Sequence, residues 1–171
     1  MPGSVQLTLP GVPDVYQGTE SVQVALVDPD NRRPVDAQAL ADALGRLDAG
    51  DAPRTLAEEK LLVTSRALRV RRDHAAAFVG QEAGYRPLPA SSGNALAFAR
   101  TSGTEPVAIT VATRLALSLE RLGGWGTHTV ALPDGVWRGG PPGPDGRGGR
   151  RELAELLDRL PVALLVRAHH G

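Results

Sequence analysis

Apolar and polar residues alternate over Val5–Leu9, and the alternation ends at Pro10 and Gly11, which predicts a short strand entering a turn. From Pro10 to Pro34 no period holds, because Pro13 and Gly18 break it and only Val22–Val27 reads as a short extended piece. That stretch predicts a long, ordered loop. The period then turns helical. Asp36 is placed to cap a helix that carries Ala37, Leu40, Ala41, Leu44 and Leu47 on one face. Thr55 and Glu58 have the spacing of a capping box and open a second helix. Its buried stripe is predicted to be Leu61, Leu62, Ser65 and Leu68, its wetter side Arg66, Arg69, Arg71 and Arg72, and its stop Gly80 or Gly84.

Beyond Tyr85 the helical period gives way to short β runs separated by Gly, Ser and Pro. The predicted strands are Asn94–Arg100, Val107–Arg114, His128–Leu132, Val136–Arg138 and Val162–Arg167. One helix interrupts them, with Leu153, Leu156, Leu157 and Leu160 on a single face before Pro161. In Gly139–Gly149 nine of the eleven residues are Gly or Pro, which predicts a mobile surface loop. The chain thus reads as α+β. Residues 1–84 form a βα unit with an added helix, and residues 85–171 form an antiparallel β-sandwich-like domain. As a strand without partners, Val5–Leu9 would be an open apolar edge.

Composition narrows the function classes. Lys+Arg 19 balances Asp+Glu 19, so no net field attracts a polyanion, and nucleic acid is not an expected partner. Cysteine is absent, which removes disulfides, thiolate catalysis and cysteine-held zinc and fits a reducing cytoplasm. No apolar run reaches the ~18 residues of a membrane span, and the start of the chain lacks the features of a signal peptide, so a cytoplasmic protein without a membrane partner is expected. His74, His128, His169 and His170 show no ligand spacing, and no metal or cofactor is expected. Gly139–Gly149 precedes a helix but lacks the lysine of a phosphate-binding loop. The arginines of Arg66–Arg72 lack the interleaved aromatics of a nucleic-acid surface. Trp125 and Trp137 are read as core or corner packing, with a sugar-stacking platform as the other option.

Two segments carry the chemistry. Gly11, Pro13, Tyr16, Gly18 and Glu20 stand in the order Gly-x-Pro-x-x-Tyr-x-Gly-x-Glu, and the charged string Asp28–Asp36 follows closely. The first resembles the loop after the last strand of an α-amylase-type (β/α)8 barrel. The second is similar to a string of the maltooligosyl trehalose synthase family, as are Ala67–Arg72, Gly84–Leu88, Ala97–Arg100, Gly124–Thr127, Leu132–Trp137 and Leu160–Leu165.

That resemblance implies a C-terminal fragment: residues 1–84 as the last βα unit of the barrel with its connecting helices, then the C-terminal β domain. It implies a (1→4)-α-D-glucan 1-α-D-glucosylmutase acting on maltooligosaccharides or glycogen-derived α-1,4-glucan in trehalose biosynthesis. The reducing-end glucose would be released by a carboxylate nucleophile and a carboxylic acid, then re-attached through its anomeric hydroxyl. The family's catalytic carboxylates follow earlier barrel strands, so no catalytic residue is expected in this chain and the chain alone is expected to be inactive. Tyr16, Glu20, Asp28, Asp30, Asn31, Arg32 and Arg33 are implied to bind or support the sugar. Arginine forks and carboxylates suit vicinal hydroxyls.

Other readings stand beside these. Glu20 can instead buttress its own loop through backbone amides. Asp28, Asp30 and Asn31 are oxygen ligands suited to calcium, but the string lacks the glycine and distal glutamate of a calcium loop. A non-catalytic carbohydrate-binding or structural β module is the alternative to the synthase, as is the tail of another amylase-type hydrolase.

Overall fold

The computed structural model describes residues 2–22, 34–139 and 145–168. Three helices precede a six-stranded antiparallel sheet: α1 Pro2–Thr8, α2 Ala37–Asp48 and α3 Leu56–Asp73. The strands are β1 Ala83–Pro87, β2 Ala95–Ser102, β3 Glu105–Thr113, β4 Thr129–Arg138, β5 Gly146–Glu152 and β6 Val162–Arg167, with α4 Ala116–Arg121 after β3 and α5 Leu153–Leu156 after β5. Their order in the sheet is β1-β2-β3-β6-β4-β5.

The segment Val5–Leu9 is not a strand. Its first four residues belong to helix α1, and Leu9 N–H closes the last turn onto Val5 C=O at 2.9 Å. A strand needs a neighbour for its N–H and C=O groups, and no described strand pairs its backbone with this segment; a helix satisfies them internally. It also lets Leu7 and Thr8 be buried while Val5 packs on the cluster of Val63, Ala112 and Val162. The strand reading of this segment therefore fails.

Sequence capping signals hold in α2 and α3. Asp36 Oδ1 accepts from Ala39 N at 3.0 Å, and Thr55 Oγ1 accepts from Glu58 N at 3.2 Å. The return bond of the capping box is displaced by one residue: the Glu58 carboxylate accepts from Arg54 N at 2.8 Å. Helix α3 is covered on two sides, and that shifts its buried stripe. Leu61 and Leu62 meet Leu47 of α2, Val63 meets the sheet, and Ala67 is buried, while Leu68 is 41% exposed. The helix stops at Asp73, before either predicted glycine. Gly84 serves another purpose: a Cβ there would lie 2.1 Å from Thr101 Oγ1 across the β1–β2 pair.

The β domain is one curled sheet, not two packed sheets. After β1, Leu88 N bonds to Ala97 O, and Ala90 then bridges Val130, so the chain between β1 and β2 also reaches β4. The sheet bends round a core of Ile109, Val111, Val130, Trp137, Leu153 and Leu165. Trp137 is fully buried with Nε1 donating to Pro133 O at 2.8 Å, and Trp125 is half-buried against the same core. The predicted strands at His128–Leu132 and Val136–Arg138 are one strand with an irregular register between Leu132 and Val136.

The end of the Gly139–Gly149 stretch, Gly146–Gly149, is likewise strand. Gly148 passes so close to that irregularity that a Cβ would sit 2.2 Å from Pro133 O. Its glycine permits contact; it does not mark mobility. The 140–144 part of the predicted loop lies outside the described residues. Helix α5 is shorter than its leucine spacing predicts, ending at Leu156.

The two halves of the chain touch through buried groups. Arg100 on β2 is 3% exposed, and its guanidinium donates through Nε to Ala77 O at 3.0 Å. Both Arg100 and Arg71 of α3 stack on the Phe78 ring, 5.3 and 5.0 Å from its centroid. Burial, with the nearby Arg71 charge, pushes the Arg100 guanidinium below its ordinary value.

Candidate functional site

The sequence places its candidate chemistry on the arm that follows α1. Gly11 takes φ +123°, which only glycine accepts readily, and lets the chain leave the helix. A tight turn follows. Tyr16 C=O accepts from Thr19 N at 3.0 Å and from Thr19 Oγ1 at 2.6 Å, and Gly18, at φ +77°, is buried within it.

Two side chains outside the arm hold it in place. Gln6 of α1 donates to Asp14 O at 3.3 Å, and Lys60 of α3 donates to Ser21 O at 2.7 Å. Lys60 is the sole lysine of the chain. Sequence reasoning assigned neither anchor; the solitary lysine amid arginines was the one signal available. Val12 is 99% exposed and Tyr16 49%, so the arm presents its ring outward from a fixed turn.

Glu20 sits four residues after Tyr16 on the same turn and is half-buried. It makes no hydrogen bond to a backbone amide among the described residues, so the buttress reading finds no partner there. Asp28, Asp30, Asn31, Arg32 and Arg33 lie outside the described residues. Of the seven sugar-site candidates, Tyr16 and Glu20 are the two among the described residues, and both stand on this turn.

Between the arm and the α2–α3 pair runs an open groove of about 400 Å³, with Gly18, Ser21 and Val22 on one side and Leu40, Ala43 and Leu61 on the other. Charges behind it are tied up structurally. Glu58 accepts from Arg46 at 2.6 Å, and Asp48 takes a two-pronged bond from Arg69 at 2.6 and 2.7 Å. The Arg54 backbone N–H, then Arg46, hold the Glu58 carboxyl below its ordinary range, and Arg69 does the same for Asp48. The arginines of α3 are thus mostly engaged within the protein: Arg71 donates to Leu7 O at 2.9 Å and Arg72 pairs with Asp73 at 2.8 Å. Among the described residues, no group of three or more metal-ligating side chains converges. No described helix is long and apolar enough to cross a membrane.

Comparison with known proteins covers nearly the whole chain. No family model matches it. A protein of Mycobacterium tuberculosis assigned as a maltooligosyl trehalose synthase is 38% identical over 164 residues, a match covering 94% of this chain and 19% of the relative. The solved maltooligosyltrehalose synthase from Arthrobacter ramosus is 43% identical with a TM-score of 0.85, covering 97% of this chain and 21% of that one. This chain is homologous to a C-terminal part of maltooligosyl trehalose synthase.

A glycosyltrehalose synthase structure, 23% identical with a TM-score of 0.69, shares the fold. The chain spans about a fifth of the length of the maltooligosyl trehalose synthases it matches. The observed mixture of helices and curled antiparallel sheet is the architecture of that part.

Proposed function

We propose that this chain is the C-terminal portion of a (1→4)-α-D-glucan 1-α-D-glucosylmutase, which converts the reducing end of a maltooligosaccharide or glycogen-derived α-1,4-glucan into an α-1,1-linked trehalose unit. The observation that carries this reading is likeness along nearly the whole chain, 94% of it at 38% identity and 97% of it at a TM-score of 0.85, the arm included. In this reading residues 1–84 are the end of an α-amylase-type (β/α)8 barrel with its connecting helices, and residues 85–171 are the C-terminal β domain. The arm then forms one edge of the sugar cleft. Tyr16 and Glu20 face the sugar, and Asp28, Asp30, Asn31, Arg32 and Arg33 bind or support it.

The arm's construction supports the assignment. A fixed turn presents a half-exposed tyrosine and a carboxylate without a described partner. Such groups lower a pocket's cost of organisation when sugar binds. The catalytic carboxylates belong to the rest of the enzyme, so the chain alone is inactive, and the complete enzyme works in the cytoplasm without cofactor. The test is incubation of the chain with maltopentaose while reducing ends are followed. No loss above a buffer control is expected, and turnover would overturn the assignment of catalysis to the remaining portion.

A further inference from the structure

A second pocket lies on the β domain. Between α4 and β4 the chain runs through Leu122–His128, where Gly123, Gly124 and Gly126 take φ values of +84°, +90° and +49°. A Cβ on any of the three would meet nothing within 4 Å, so these glycines serve backbone direction, not close approach. The loop they shape borders a pocket of about 340 Å³, within the ~300–1,000 Å³ typical of small-molecule clefts. Leu119, Leu122 and Trp125 give it apolar lining, and Trp125 is anchored on the main core.

The rest of the lining is polar and oriented. His128 of the lining is held from outside it by Ser91, whose Oγ accepts from Thr129 N at 2.9 Å and lies 3.1 Å from His128 Nδ1. The serine hydroxyl can meet Nδ1 as donor or as acceptor, and in either tautomer this contact occupies Nδ1 and leaves Nε2 for a ligand. Asn94, 7% exposed, gives its amide nitrogen to Leu115 O at 3.2 Å and keeps its side-chain oxygen as an acceptor. Ser92 and Thr127 add hydroxyls to the lining.

We propose that this pocket is an accessory saccharide site that takes one pyranose ring. A pyranose has C–H faces that suit the tryptophan and leucines, and edge hydroxyls that both donate and accept. The pocket offers both kinds of partner. An anionic ligand is disfavoured, since no Lys or Arg lines the pocket. A wholly apolar ligand would leave the asparagine and histidine unpaired.

Maltotriose is the first probe, a choice that rests on the proposed glucan substrate, and cellobiose is the second. Backbone amide shifts of the ¹⁵N-labelled chain are followed to about 50 mM sugar, the range for weak single-ring binding. Saturable shifts are expected at Ser91–Asn94 and Gly123–Thr129. Trp125→Ala and His128→Ala should each weaken the apparent Kd about fivefold or more. His128 is exposed, so its substitution keeps the core intact. Pocket shifts with cellobiose alone would uphold the saccharide site while counting against the α-glucan reading. Shifts confined to Val12–Ser21 would overturn this pocket and support the cleft reading. No shift with either sugar, or an unchanged Kd in both variants, would overturn the pocket; activity of the complete enzyme judges the cleft separately.

Discussion

Thr110 Oγ1 donates to Thr8 Oγ1 at 2.9 Å, joining two buried hydroxyls that stand 102 residues apart. This bond fixes α1 on β3. Removing the Thr8 hydroxyl takes from the buried Thr110 hydroxyl its acceptor, which costs about 1–3 kcal/mol, whereas Thr8 Oγ1 keeps its bond to Val5 O at 3.4 Å when Thr110 is replaced. Thr8→Val should therefore destabilise by about that amount and Thr110→Val by less, and the double variant by clearly less than the sum. Urea unfolding of the four proteins measures this, and additive costs would refute a coupled pair.

Acid should loosen the α2–α3 pair. The carboxyls of Asp48 and Glu58 are both held below their ordinary range in the folded protein by their Arg partners. A depressed folded value contributes stability above the unfolded value of about 4, and this contribution disappears as pH falls through the folded value. Stability should therefore drop between about pH 4.5 and pH 2, and less steeply in Asp48→Asn than in the parent. At pH 7 that variant should lose no more than about 1 kcal/mol, because the pair is partly exposed. Denaturant midpoints at several pH values check both statements.

Two glycines should differ in their tolerance of alanine. At Gly84 the obstacle is Thr101 Oγ1, a side-chain atom, and at Gly148 it is the backbone carbonyl of Pro133. Gly84→Ala should be rescued by Thr101→Ala. Gly148→Ala has no such remedy and should cost more, about 2 kcal/mol or above, since β4 itself must move. Thermal melts of the three variants rank them.

Leu115 should be replaceable to advantage. Its φ of +52° is the left-handed conformation, its side chain is 60% exposed, and its carbonyl is already engaged by Asn94. Glycine relieves strain of about 1 kcal/mol with little burial lost. Leu115→Gly should raise Tm by about 2–5 °C. A lowered Tm would mean that this leucine is packed more firmly than its exposure indicates.

In the complete enzyme, Glu20→Gln and Tyr16→Phe should raise KM for maltopentaose about threefold to tenfold, the loss of one sugar hydrogen bond each. Unchanged kinetics in both would remove them from the cleft edge.

The sheet's inner strands and the helix caps were legible because local rules decide them. Val162–Arg167 is the strand its sequence predicts, and Asp36 and Thr55 cap as their spacing requires. Elements set by distant partners were not. Val5–Leu9 alternates like a strand yet becomes a helix because its neighbours are α3 and β3. Gly146–Gly149, the end of the predicted Gly139–Gly149 loop, belongs to a strand that pairs with β4, with Gly148 answering to Pro133. On the arm, Tyr16 and Glu20 were singled out by their motif, while the anchors Gln6 and Lys60 were not, since no motif marks a residue that holds a carbonyl from another helix.

The strand order places β6 between β3 and β4. During synthesis, β1–β3 can form a meander and β4–β5 a hairpin, joined at first only where Pro89–Ser91 meets Thr129–Ala131, and strand pairing between them waits until Val162–Arg167 has left the ribosome. Completion of the sheet is therefore a late event. A ribosome stalled before Val162 would hold two sticky half-sheets that chaperones must shield.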